Sequence, residues 1–297
     1  MSPNPRQVRF KQVDVFSAVP FKGNPLAVVF DADDLGDDEM QAIARWTNLS
    51  ETTFIRTPTD PRADYLVRIF TPAGELPFAG HPTLGTAHAL IESGYRPREA
   101  GRIVQQCGVG LVDIEAREGG IRAFAAPPAR IEALPASAHA ALQAALRTDE
   151  IDFSDLPPCA VDIGPRWLTV RLSSADACLS LDYEPAALSR VVSDAGMTGL
   201  AVFAPHAPGG PATFEMRCIV ARRGASPYED PVTGSANAGL ASLLAACGRR
   251  PGPRYTVRQG TALGRDGRVV VDYDDARARI WIGGAATTII DGTVRLP

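Results

Sequence analysis

The chain has 297 residues, of which 45% are hydrophobic and 22% charged, and its net charge is −4. This composition is typical of a globular protein, and the length suits two domains of roughly 100–150 residues each. The negative charge and the lack of Lys/Arg clusters argue against nucleic acid as a partner. The sequence contains no apolar run of about 18 residues, so we predict no membrane span.

Cysteine usage and the N-terminal sequence bear on the compartment. The five cysteines are scattered and contain no C-x-x-C pair, which favours reduced thiols over a disulfide or zinc framework. The N-terminal stretch MSPNPRQVRFKQVDVF lacks the apolar segment of a signal peptide. We therefore expect a cytoplasmic protein.

In the first half of the chain, alternating and short apolar stretches predict strands, and one segment with helical spacing predicts a helix. In chain order these are the strands VRFKQVDVF and LAVVF, the helix MQAIARWTN, and the strands LSETTFI and DYLVRIFTP. The segment GHPTLGTAHALIESG then predicts a turn that leads into an Ala-rich helix. Two strand pairs, GRIVQQCGVGLVDIEARE and IRAFAAPPARI, complete this half.

The Ala/Pro-rich stretch 127–158 predicts a domain boundary, because the second half then repeats the order of the first. WLTVRL matches LAVVF, EPAALSRVVSDAG matches the early helix, and GLAVFAPH and FEMRCIVA match the next two strands. We predict an α+β fold of two pseudo-symmetric domains, each a mostly antiparallel sheet or barrel around a central helix. The predicted domains are 1–126 and 127–297, and a C-terminal strand near 285–297 can cross back to the first.

A glycine-containing turn occurs in both halves. GHPTLGT begins at Gly80 and EDPVTGS at Glu229, an offset of 149 residues that also aligns Arg68 with Arg217 and His81 with Asp230. Small residues at a helix N-terminus leave backbone N–H donors open to a carboxylate or phosphate. We predict that four residues of these two segments bind the substrate: Gly80, Thr83, Gly234 and Ser235. The alternative is ordinary helix capping by Thr and Ser.

Glu51 is a candidate general base, because it stands where a helix ends and an apolar strand begins, and burial raises the pKa of a carboxyl group. The alternative is a solvated surface carboxylate. Its counterpart in the second half falls near Thr198 and is not acidic. No nucleotide-binding glycine motif, nucleophile elbow or metal-ligand spacing is present, so we predict neither a metal nor a cofactor. We interpret His88, His139 and His206 as structural or exposed.

Taken together, DVFSAVPFKGNPLAVVF, NLSETTF, FTPAGELPFAGHPTLGTAHAL, EDPVTGSAN and QGTALGR resemble the phenazine-biosynthesis isomerase (PhzF-like) family. The resemblance runs from about Val8 to the C-terminus. It implies a diaminopimelate epimerase-like fold with the active site between the halves, and a homodimer. The second half departs from the family pattern at Arg222 and Arg223, a difference that bears on the substrate more than on the fold.

The resemblance also implies roles for individual residues. Glu51 matches the proton-shuttling glutamate of the family, and His81, Asp230 and Ser235 match its other site residues. We predict Glu51, His81 and Asp230 as catalytic, with His81 and Asp230 orienting the substrate or assisting the transfer. The related epimerases use two cysteines in these turns, whereas all five cysteines of this chain lie elsewhere. We therefore predict a cofactor-independent isomerase that moves a proton between carbons of a small carboxylate-bearing metabolite, such as a cyclic amino acid. The alternatives are a racemase or epimerase, a dehydratase, and a non-catalytic small-molecule binding protein.

Overall fold

The computed structural model describes residues 6–221 and 224–296. In chain order its strands are β1 Arg6–Val15, β2 Asn24–Val29, β3 Glu51–Arg56, β4 Tyr65–Phe70, β5 Glu75–Leu76, β6 Arg102–Cys107, β7 Gly110–Ala116, β8 Arg122–Ala125, β9 Arg130–Ala133, β10 Cys159–Asp162, β11 Arg166–Arg171, β12 Gly199–Pro205, β13 Phe214–Val220, β14 Tyr228–Asp230, β15 Arg254–Gln259, β16 Gly267–Asp274, β17 Arg279–Gly284 and β18 Ala286–Leu296. The helices are α1 Asp37–Thr47, α2 Gly80–Glu92, α3 His139–Leu146, α4 Ala175–Leu179, α5 Pro185–Asp194 and α6 Gly234–Ala246.

Two compact units make up the chain. Unit 1 contains the described residues of 1–125 and 283–297, and unit 2 contains 126–282. The division into two domains at 1–126 and 127–297 stays a prediction. In the described residues, no helix is both long enough and apolar enough to cross a membrane.

The sheet of unit 1 is mostly antiparallel. β1 pairs with β18 and β2, β4 pairs with β3 and β5, and β7 pairs with β6 and β8, all antiparallel. The pairs β2–β3 and β4–β6 are parallel, because α1 and then α2 provide the crossovers that parallel neighbours need. The C-terminal strand β18 thus belongs to the sheet of unit 1.

Helix α2 lies in the interior of unit 1, where it contacts β1, β2, β3, β6, β8 and β18. Ten of its 13 residues are buried, and a helix that is buried on all sides forms part of a core. A second apolar cluster of this unit packs α1 against the sheet through Met40, Phe54 and Phe70. The predicted central helix of the first half is confirmed.

Unit 2 repeats this arrangement. The pairs β9–β10, β10–β11, β12–β13, β13–β14 and β15–β16 are antiparallel, and β11–β12 and β13–β15 are parallel. Helix α6 contacts β10, β11 and β16, and nine of its 13 residues are buried. Helices α3, α4 and α5 contribute a separate apolar cluster that includes Leu142, Cys178 and Leu188. The predicted α+β fold with a central helix in each half is confirmed.

Candidate active site

Glu51 and His81 are in contact in unit 1. Glu51 is the first residue of β3 and lies beside Leu26 of the parallel strand β2, while His81 is the second residue of α2. Glu51 Oε2 lies 3.2 Å from His81 Nε2, and the two side chains are only 15% and 6% exposed. Glu51 is therefore not the solvated surface carboxylate of the alternative interpretation.

The charge state of this pair follows from the burial of the imidazole. Burial penalises the charged form of a base and lowers the pKa of His81 to about 3. His81 is therefore neutral at physiological pH. The imidazole therefore lies beside the Glu51 carboxylate without adding a positive charge.

The first of the two repeated turns is a helix and not a turn. The sequence predicts that GHPTLGT precedes the helix, but α2 begins at Gly80, so His81, Thr83 and Gly85 belong to its first two turns. Pro82 does not prevent this, because the first-turn N–H groups have no intrahelical acceptor. Gly85 lies against the sheet, where a Cβ would come within 2.7 Å of the side chains of Leu26 and Val15.

The second repeat begins later than the sequence offset of 149 predicts. Gly80 and Gly234 each begin a 13-residue helix, which is an offset of 154. The same offset relates Gln105 to Gln259, each of which contacts a polar residue in the fourth position of its helix. The two offsets differ because Arg217 and its partner Glu229 are 12 residues apart, whereas Arg68 and its partner Glu75 are seven residues apart. Pairing His81 with Asp230 is therefore wrong, and His81 corresponds to Ser235.

In unit 2, Gly199 and Ser235 occupy the positions of Glu51 and His81, and Trp167 occupies that of Leu26. Strand pairing places Gly199 beside Trp167, as Glu51 lies beside Leu26, so the counterpart of Glu51 is Gly199, the residue next to Thr198. The indole Nε1–H of Trp167 donates to Ser235 Oγ over 3.0 Å. Trp167 was not predicted as a site residue, although WLTVRL and LAVVF begin at equivalent residues.

Asp230 ends strand β14 and bonds to the residues that lead into α6. The Thr233 hydroxyl donates to Asp230 Oδ2 over 2.6 Å, and Gln259 Nε2 donates to the carbonyl of Asp230 over 3.2 Å. The preceding Glu229 accepts from the Arg217 guanidinium with both carboxylate oxygens. These contacts hold the Asp230 turn in one conformation.

Side-chain capping does not explain the small polar residues at the two helix starts. Neither Ala79 nor Thr233, the N-cap residues of α2 and α6, makes a side-chain capping hydrogen bond. The buried Thr83 hydroxyl donates to the Ala79 carbonyl and accepts from Gln105. The substrate-binding roles of Gly80, Thr83, Gly234 and Ser235 stay predictions.

Other polar groups have structural surroundings. His206 Nε2 lies 3.0 Å from the buried Glu215, and His139 stacks on Phe153. Within 6–221 and 224–296, no group of three or more His, Cys, Asp or Glu side chains is arranged to hold a metal ion. The predicted departure at Arg222 and Arg223 lies outside the described residues.

A family model described as phenazine biosynthesis-like protein matches residues 13–292. The chain belongs to this family. Over 293 residues it is 39% identical to Antisense-enhancing sequence 1 of Schizosaccharomyces pombe, covering 95% of this chain and 97% of the relative. It is 35% identical to a trans-2,3-dihydro-3-hydroxyanthranilate isomerase of Pseudomonas fluorescens, covering 96% and 98%. The family resemblance in the sequence is confirmed, and the chain is an isomerase of this PhzF-like family.

Solved structures agree on the fold. The PhzF-family phenazine biosynthesis protein of Bacillus anthracis superposes with a TM-score of 0.83 at 24% identity, covering 97% of this chain and 99% of that chain. A hydroxyproline epimerase of Agrobacterium vitis superposes with a TM-score of 0.63 at 15% identity, covering 98% and 93%. The predicted diaminopimelate epimerase-like fold is confirmed.

Proposed function

We propose that this PhzF-like isomerase moves a proton between carbons of a small carboxylate-bearing metabolite, with Glu51 as the proton carrier and without a cofactor. The observation that carries the proposal is the contact of the buried Glu51 carboxylate with a neutral imidazole. Glu51 takes a proton from a carbon whose carbanion is stabilised by a neighbouring unsaturated or carbonyl group. It then returns the proton to another carbon of the same molecule.

The position of Glu51 suits this task, because its side chain is only 15% exposed and Oε2 lies 3.2 Å from His81 Nε2. A positioned acid or base typically contributes about 10²–10⁴-fold to a rate. The neutral His81 imidazole lies beside the carboxylate, with Nε2 3.2 Å from Glu51 Oε2, and competes little for the proton. We assign His81 to the orientation of Glu51 and of the substrate.

The substrate carboxylate is the second element of the proposal. Helices α2 and α6 both begin with uncapped small residues, and the N–H groups of a first helical turn attract anions. We assign Gly80 and Thr83 in unit 1 and Gly234 and Ser235 in unit 2 to substrate binding. Asp230 assists proton transfer or orients an amino or hydroxyl group of the substrate.

The relatives indicate a substrate class to test first. The relatives named trans-2,3-dihydro-3-hydroxyanthranilate isomerase act on a cyclic amino acid, and this chain is 34–35% identical to three of them. We propose a small cyclic or unsaturated amino acid as the substrate. A homodimer and a cytoplasmic location are further predictions, and sedimentation of the purified protein tests the first.

A racemase or epimerase is the second candidate, because the hydroxyproline epimerase shares the fold. Two-base inversion requires an acid or base on each face of the substrate carbon. At the strand position that matches the proposed base Glu51, unit 2 carries Gly199, which has no side chain that could act as a second base. This difference favours the one-base isomerase over the racemase.

The deciding experiment incubates the purified protein with trans-2,3-dihydro-3-hydroxyanthranilate in D₂O and follows the product by NMR and mass spectrometry. We expect a shifted double bond, deuterium at the carbon that receives the proton, and loss of both in Glu51→Gln. Inversion of a stereocentre without a double-bond shift would indicate the epimerase, and elimination of water the dehydratase. Tight binding with no label in a panel of amino and hydroxy acids would indicate a binding protein.

A further inference from the structure

The Trp167–Ser235 hydrogen bond has a direction set by chemistry. An indole N–H is only a donor, whereas a serine hydroxyl both donates and accepts. Over the 3.0 Å contact, Trp167 Nε1 must therefore donate and Ser235 Oγ must accept. The hydroxyl proton of Ser235 consequently points away from the indole.

The proton of Ser235 has no acceptor inside the described protein. Ser235 is the second residue of α6 and partly exposed, and across 6–221 and 224–296 its hydroxyl makes no hydrogen bond besides the one from Trp167. Many helical serines instead donate to the carbonyl four residues earlier, as Ser242 does to Ala238 in the same helix. The Ser235 hydroxyl can thus donate a hydrogen bond to a ligand at the N-terminus of α6, where the N-cap residue Thr233 makes no side-chain capping bond.

The surroundings fix the indole in this position. Trp167 is 3% exposed in the interior strand β11, and the neighbouring Gly199 leaves room for its ring. A Cβ at Gly199 would stand 2.7 Å from the indole ring and 2.4 Å from the carbonyl of Ile219. Position 199 therefore cannot carry a side chain while the indole holds its place.

We propose that Trp167 is a positioning residue that presents the Ser235 hydroxyl as a hydrogen-bond donor to the carboxylate of the substrate. The inference rests on the proposed function and adds to it a residue that acts through Ser235. A hydrogen bond to a charged group contributes more than one between neutral groups, and it depends on a correctly aimed proton. Ser235 of unit 2 thus binds the anion at the helix position where unit 1 carries His81, the partner of Glu51.

A double-mutant cycle tests the inference with Trp167→Phe, Ser235→Ala and the double variant. Trp167→Phe keeps an aromatic ring but removes the N–H. We expect KM for trans-2,3-dihydro-3-hydroxyanthranilate to rise about 10–100-fold in Ser235→Ala and about 3–10-fold in Trp167→Phe, with kcat changed less than KM. The double variant should match Ser235→Ala alone, because Trp167 acts only through that hydroxyl.

The indole resonances give a readout that needs no substrate. The chain has three tryptophans, so an amide-proton NMR spectrum contains three indole N–H peaks. Ser235→Ala should shift the Trp167 peak and leave that of Trp46, whose side chain is exposed on α1. Ser242→Ala, in the same helix, is the matched control and should move neither peak nor KM.

The outcomes separate this inference from the proposed function. If the protein converts the substrate but the effects of Trp167→Phe and Ser235→Ala multiply, the positioning role is wrong and the isomerase stands. If turnover is absent, the same cycle is measured on the binding of anthranilate by calorimetry, and non-additive losses support the positioning role alone. No binding of anthranilate, or an unmoved Trp167 peak in Ser235→Ala, overturns the inference.

Discussion

Helices α2 and α6 are the most informative pair of regions to compare. Both have 13 residues, both begin with glycine, and both contact a glutamine 25 residues after their first residue. Their second residues differ: His81 meets the Glu51 carboxylate, and Ser235 meets the Trp167 indole. The duplicated parts support the fold, whereas the residues that differ are the ones to which we assign the chemistry.

The largest expected effect comes from the acidic member of the pair in unit 1. Glu51→Gln keeps the shape of the side chain and removes the base, so kcat should fall by about 10³-fold, which is about 4 kcal/mol of transition-state stabilisation. Rates of deuterium incorporation in D₂O measure this loss. Glu118→Gln, on an exposed turn, should keep full activity. A Glu51→Gln variant that still incorporates deuterium at the wild-type rate would contradict the role of Glu51 as the proton carrier.

The arginine–glutamate pairs of the two units predict the next largest difference. Arg217 and Glu229 are 9% and 8% exposed, while Arg68 and Glu75 are 20% and 41% exposed. Glu229→Gln leaves a buried guanidinium with backbone carbonyls as its remaining partners, and should lower the free energy of unfolding by about 3 kcal/mol.

Glu75→Gln is the matched change in unit 1. It should lower the free energy of unfolding by less than about 1 kcal/mol, because this pair is more exposed and Arg68 keeps its contact with Asp37. Urea denaturation of both variants gives the comparison. Equal losses in the two variants would contradict the difference in burial.

The neutral His81 predicts a dependence of stability on pH. Its pKa of about 3 in the folded state lies below the ordinary value of about 6.5, so the unfolded chain binds more protons between these values and stability falls as the pH falls. From pH 7.5 to 5, we expect His81 to account for about 2 kcal/mol of lost stability. His81→Gln should lose correspondingly less in denaturant titrations at the two pH values. Parallel losses in wild type and variant would show that His81 titrates normally.

The smallest effect concerns the packing of the two helices. A Cβ at Gly85 would stand 2.6 Å from Leu26 Cδ2, whereas one at Gly239 would stand 3.2 Å from Val161 Cγ1. Overpacking should make Gly85→Ala less stable by about 1–2 kcal/mol even after the gain in helix propensity. Gly239→Ala should lie within about 1 kcal/mol of wild type in thermal unfolding. The reverse order would show that α6 is the more tightly packed helix.

Part of the candidate site could be predicted from sequence, because two of its residues belong to recognisable family motifs. NLSETTF and FAGHPTLG identify Glu51 and His81, and the structure brings these two side chains into contact. Trp167 was overlooked because a tryptophan in an apolar strand is ordinary core material. Only its hydrogen bond to Ser235, 68 residues later in the chain, distinguishes it.

The sequence by itself determined the α+β class, the duplication, the central helices and the family, because hydrophobic periodicity and spaced motifs are local properties of the chain. It misaligned the two repeats by five residues, because an offset read from Gly and Pro positions takes no account of an inserted loop. Only the tertiary structure decided that His81 corresponds to Ser235 and that Gly199 takes the place of Glu51. These correspondences depend on strand register and helix starts, which long-range hydrogen bonds establish between residues far apart in sequence.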